Sequence, residues 1–193
     1  MTATTTHPRL GLADRAAFGV IAGLAGALGL LTLVDGVWRT VALAVGTGPV
    51  DLIAFSPLTD NVGNITGATV TSDAIDAGSR VLLVIASAVS LLVAVTISAA
   101  IVVFLAMTAR GTPFHRTLYP VVLTTGLVMS FGGMIAGGLD GLGRMIAGGE
   151  LGEPYRAAFE LQFGPWAFGF VVLVAAYVIR AGERLQRDTE GLV

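Results

Sequence analysis

The chain has 193 residues, of which 54% are hydrophobic and 12% charged, against roughly a quarter charged in an ordinary soluble domain. Too few polar side chains exist to clothe a water-facing surface, which argues against a soluble globule. A net charge of -2 creates no long-range field for nucleic acid, and the lack of cysteine removes disulfides, thiolate metal sites and cysteine nucleophiles.

Four uncharged runs follow one another along the chain, at residues 16–34, 81–109, 117–139 and 161–179. Each reaches the roughly 18 residues that a helix needs to cross about 30 Å of hydrocarbon. None carries the polar stripe of an amphipathic soluble helix. The expected fold is an all-α integral membrane protein, a bundle of four transmembrane helices over about 14–45, 78–109, 116–147 and 161–187. It forms one membrane domain spanning residues 1–193, with the lipid bilayer as its first partner.

The first run follows a short basic segment and precedes Ala42-Leu43-Ala44, which looks like a signal-peptidase site. The run is longer than a signal core, and Asp35, Trp38 and Arg39 intervene, so it is read as an uncleaved helix. Orientation follows from arginine, since every basic residue is arginine. With the N-terminus inside, Arg9, Arg15, Arg110, Arg116, Arg180, Arg184 and Arg187 are cytoplasmic, and Arg39, Arg80, Arg144 and Arg156 are outside. That excess predicts both termini in the cytoplasm. Trp38 and Trp166 mark one interface, and Tyr119 and Tyr177 the other. Arginine in place of lysine, with abundant Ala, Gly and Val, is the coding bias of a GC-rich bacterial genome.

The exported loop at 46–77 holds two alternating stretches, 50–55 and 65–72, around a turn-rich centre. They predict a small β-hairpin, with an irregular loop as the alternative. A cytoplasmic loop at 110–115 makes helices two and three antiparallel neighbours, and a second exported loop occupies 148–160.

Within the helices, Gly19 and Gly23, and then Gly133, Gly137 and Gly141, recur every fourth residue and mark faces where two backbones can approach closely. Chance spacing in a glycine-rich chain is the bland alternative. Asp35 and Arg39, and Asp140 and Arg144, stand four apart at the outer ends of helices one and three. They form a candidate polar vestibule for an ion, a solute or a partner loop, or else simply mark where water begins. Ser87, Ser90, Thr96 and Ser98 in helix two, with Thr124, Thr125 and Ser130 in helix three, either line a conduit or bond back to their own helix carbonyls.

No catalytic constellation is visible. His7 and His115 lie in cytoplasmic segments, the glycine-rich stretches follow no strand, and no lysine exists for a phosphate loop. No cofactor, metal or catalytic residue is expected, and the chain is read as not an enzyme.

Gly111-Thr112-Pro113-Phe114, followed by Arg116, resembles the short inner loop of a bacterial family of four-helix membrane proteins, domain of unknown function 2975. The tail from Arg180 to Val193, with Gly182, Leu185-Gln186, an acidic stretch and a final hydrophobic pair, resembles that family's ending. The resemblance implies the same topology, a bacterial inner membrane, a function not settled for the family, genes beside small helix-turn-helix regulators, and no catalytic residues. Pro113 and Phe114 fix the turn between helices two and three, and the tail suits a cytoplasmic partner or a frayed, solvated end. The expectation is an accessory or regulatory subunit in a homo-oligomer or larger membrane complex, with a small oligomeric transporter or channel as the alternative.

Overall fold

A computed structural model describes residues 12–54, 56–57, 64–65, 67–109, 117–153, 155–161 and 163–190. The inner-loop residues Gly111, Pro113 and Phe114, both histidines and the last three residues lie outside the described residues.

Helix α1 covers Leu12–Ala44, α2 Ala77–Ala109, α3 Leu118–Leu127, α4 Gly133–Leu151 and α5 Gly164–Glu190. A π-helical turn, Val128–Gly132, joins α3 to α4, so the third run is one long helix with a local irregularity. Three stretches are long and apolar enough to cross a membrane: Gly19–Ala44, Ala77–Thr108 and Leu118–Leu151. A shorter apolar stretch, Trp166–Gly182, lies in α5. Their outer faces suit lipid rather than water. Leu24, Leu28 and Leu31 on α1 are 61%, 65% and 65% exposed.

Between α1 and α2, strand β1 (Pro49–Leu52) pairs antiparallel with β4 (Ala68–Thr71), in the register Pro49 to Thr71 and Leu52 to Ala68. A short outer rung joins β2 (Ser56–Pro57) to β3 (Asn64–Ile65). The alternation read in the sequence is the cause: Val50 and Leu52 point inward and are buried, while Pro49 and Asp51 face outward. Those inward side chains join Leu43, Ile75, Leu83 and Ala147 in one apolar core, flanked by Val70, Leu151 and Tyr155. The core thus sits at the hairpin end of the helices, not midway along them.

Local chemistry sets the ends of the elements. Gly46, at φ 90, ends α1, and the amides of Thr47 and Gly48 both donate to the Ala42 carbonyl, at 2.9 and 2.8 Å. Asp76 caps α2 by accepting from the Gly78 amide at 2.9 Å. Glu150 accepts from the Asp76 amide and from the buried Ser79 hydroxyl, both at 3.3 Å, and so ties α4 to the start of α2.

Helix three continues to Leu151, beyond the expected end at 147, so Gly148 and Gly149 are helical and not loop. Gly148 is kept small because the returning chain lays the Arg156 carbonyl where a Cβ would stand. The turn comes at Gly152, at φ 67, and α5 begins at Gly164, later than 161. The segment between them runs beside the hairpin: the Arg156 amide donates to Ile53 across 3.0 Å, and Ala54 bridges Tyr155.

Close approaches at small residues define the helix order. A Cβ on Gly36 would meet Leu91 at 2.7 Å and one on Gly29 would meet Ser98 at 3.0 Å, placing α1 on α2. Gly132 against Val93 and Gly143 against Leu83, at 2.7 and 3.0 Å, place the third helix on α2. Gly126 against Leu173, at 2.8 Å, places α3 on α5. The sequence is therefore α1, α2, α3 with α4, and α5, in which α1 and α5 share no packed face.

Candidate functional site

Because α1 and α4 both lean on α2 without packing on each other, a half-open cleft of about 420 Å³ lies between the three. It follows α2 from Leu83 to Ile97, a distance of about 21 Å at 1.5 Å per residue. Asp35, Arg39, Asp140 and Arg144 all line it, so the two charged pairs expected at the ends of helices one and three meet in one place.

The pairs differ in state. Arg144 Nε lies 2.8 Å from Asp140 Oδ2 as an ion pair, with Nη2 donating to Oδ1 at 3.4 Å. The same guanidinium donates from Nη1 to the Asp51 carbonyl at 3.0 Å. Asp51 in turn accepts from Thr69 at 2.7 Å, so Arg144 fastens α4 to the hairpin. Asp35 and Arg39 are exposed, and among the described residues neither has an ion pair or hydrogen bond, although i,i+4 spacing permits one.

The hydroxyls divide as well. Thr96, Ser98 and Thr125 donate to the carbonyls of Leu92, Ala94 and Val121, each four residues back. Ser87 reaches across to Thr40 at 2.8 Å, and Ser90 stands exposed on the cleft wall with Thr32 opposite. Below them the wall is apolar, made of Leu91, Val93, Ala94 and Ile97. The cleft is charged at one end and greasy at the other.

The expected glycine faces part company. Gly133 packs on Trp166 at 3.3 Å, Gly141 on the Glu160 carbonyl, and Gly137 lines the cleft. Among the described residues, nothing beyond their own helix lies within 4 Å of where a Cβ on Gly19 or Gly23 would stand. At the far end of the helices, Arg180 donates to the Tyr119 hydroxyl at 3.1 Å and lies 5.1 Å from its ring centroid.

Some features escape the sequence. The π turn leaves no periodic trace, yet it buries Ser130 against Gly169 with its hydroxyl unpartnered. Trp166, tilted against Phe163 at 5.2 Å and edge-on to Phe170 at 6.2 Å, has an unpartnered indole nitrogen. Among the described residues no group of three His, Cys, Asp or Glu side chains gathers as a metal site. No protein-family model, curated protein or solved structure matches the chain.

Proposed function

We propose that the chain is a four-span, non-enzymatic integral membrane protein with both termini in the cytoplasm, acting as an accessory or regulatory subunit of a larger assembly in a bacterial inner membrane. The contacts of Gly36 with Leu91, Gly132 with Val93 and Gly133 with Trp166 give the four helices a common level. Inward of that level each has one uncharged stretch, about residues 16–34, 92–109, 117–135 and 164–179. The first three are about the length that a 30 Å slab requires, and the fourth is shorter. Outward of it lie the hairpin, the protruding half of α2 and the charges of Arg39, Asp140 and Arg144, with Asp35 at the level itself. Resemblance to the four-helix family of unknown function belongs with this reading.

The observation that carries the subunit role is the isolation of α1. It packs on α2 along one side, and elsewhere Gly19, Gly23 and Gly26 meet nothing among the described residues and stand among exposed leucines. In lipid, small-residue faces associate by close van der Waals packing, so an unfilled one suits a helix of another chain. Gentle detergent extraction of tagged protein, followed by native mass measurement, tests this. A stoichiometric partner is the expected result, and a bare monomer overturns it.

A small oligomeric transporter or channel is the second reading, supported by the charged cleft with Ser87, Ser90 and Thr32 leading inward. The back-bonded hydroxyls of Thr96 and Ser98 offer that route little polarity, so a second copy would have to close it. Solute flux in liposomes that is abolished by Arg39→Ala favours transport.

A further inference from the structure

The cleft holds two charges that the fold leaves unused. Arg144 and Asp140 pair with each other and Arg144 holds the hairpin, whereas Asp35 and Arg39, one helical turn apart on α1, line the cleft without a partner among the described residues. A helical side chain leans toward its own N-terminus, which brings the long Arg39 side chain toward the depth of Asp35. The cleft therefore presents a carboxylate and a guanidinium at one level, with Cβ atoms about 5–6 Å apart.

We propose that the cleft seats an outer-leaflet phospholipid whose headgroup carries a primary ammonium beside its phosphate. Arg39 takes the phosphate as a fork of N–H donors, and Asp35 accepts from the ammonium. The two-carbon spacer between the headgroup charges suits that separation when the headgroup lies along the membrane surface. Ser90 offers a hydroxyl to the glycerol esters, and the wall of Leu91, Val93, Ala94 and Ile97 receives the start of an acyl chain. The volume is that of a small-ligand site, and the half-open side lets the rest of the chain remain in the bilayer. Charge complementarity selects this occupant. A partner helix would have to satisfy both charges in a low-dielectric contact, and an anionic lipid would leave Asp35 repelled.

The proposal rests on the membrane placement given above, not on the subunit role. Placement has its own test: Thr69→Cys in the hairpin is labelled by an impermeant maleimide added outside intact cells. The lipid test uses delipidated full-length protein in detergent, titrated under native mass spectrometry with phosphatidylethanolamine, phosphatidylcholine and phosphatidylglycerol of identical chains, and with phosphoethanolamine alone. The expected result is preference for phosphatidylethanolamine by about tenfold over the other two lipids, the size of one good polar contact. Asp35→Asn removes its advantage over phosphatidylglycerol, and Arg39→Gln weakens retention of all three. Both side chains are exposed and unbonded, so the variants keep the fold, and the wild-type comparison needs neither. Equal retention of the three lipids overturns the proposal, as does preference unchanged in both variants. Binding of phosphoethanolamine as tight as that of the lipid also overturns it, in favour of a soluble zwitterion.

Discussion

Arg144 Nη1 donates a 3.0 Å hydrogen bond to the Asp51 carbonyl, fastening the fourth helical element to the first hairpin strand. Because the same guanidinium neutralises Asp140, its loss frees the hairpin and strands a partly buried carboxylate together. Arg144→Ala should lower stability in detergent by about 2 kcal/mol, the scale of hydrogen bonds to a charged group. Asp51→Asn should change much less, since the contact uses the backbone. Thermal unfolding of the two variants beside wild type checks the contrast. Equal losses would mean that the Asp51 side chain, through Thr69, contributes as much as Arg144.

Two sets of glycines separate packing within the chain from packing outside it. Gly141→Ala and Gly148→Ala push a Cβ into the carbonyls of Glu160 and Arg156, which are backbone and cannot swing aside. Each should cost about 1–3 kcal/mol, the usual range for overpacking. Gly19→Ala and Gly23→Ala meet nothing among the described residues, so monomer stability should hold within about 0.5 kcal/mol. Bulkier Gly19→Leu and Gly23→Leu should break the partner complex in native mass measurement. An undisturbed complex would place the partner elsewhere.

Three long apolar helices and the hairpin strands were legible because pattern decided each: a membrane-length helix demands an unbroken apolar run, and a half-buried strand demands alternation. Spacing also identified both charged pairs but could not say that Asp140 and Arg144 would close while Asp35 and Arg39 stayed apart. That difference comes from Asp51, which sequence distance hides and the fold delivers to Arg144. The meeting of all four charges in one cleft depends on α1 and α4 sharing α2 through Gly36 and Gly143, a property of three helices at once. Gly148 and Gly149 read as loop because glycine disfavours helix interiors. The close return of Arg156 outweighs that preference at Gly148.

The hairpin base carries a pH-sensitive contact. The Thr71 hydroxyl beside Asp73 holds its carboxyl below the usual carboxylate range. A depressed folded-state pKa means the carboxylate adds stability above its unfolded value and loses it as pH falls through the folded one. Thr71→Val should therefore narrow the stability gap between neutral and acidic conditions, with no difference from wild type in that gap if the hydroxyl is not the cause. Asp73 is fully exposed, so the test reads the direction of change across a pH series of melting curves.

The bond beside the cleft is directional. Thr40 already donates its proton to the Gly36 carbonyl at 2.8 Å, so in the 2.8 Å contact with Ser87 it is Ser87 that donates. Thr40→Val removes the acceptor, and Ser87 can then turn to a carbonyl of its own helix, as Thr96 and Ser98 do. That escape keeps the pair weak: a double-mutant cycle of Thr40→Val and Ser87→Ala should give a coupling of about 0.6 kcal/mol, the average for hydrogen bonds between membrane helices. Thr40→Ser, which keeps the oxygen, should retain most of it. A coupling several times larger would mean that Ser87 has no alternative acceptor and that this bond holds the cleft open. A coupling near zero would leave the approach of Gly36 to Leu91 as what sets the spacing of α1 from α2.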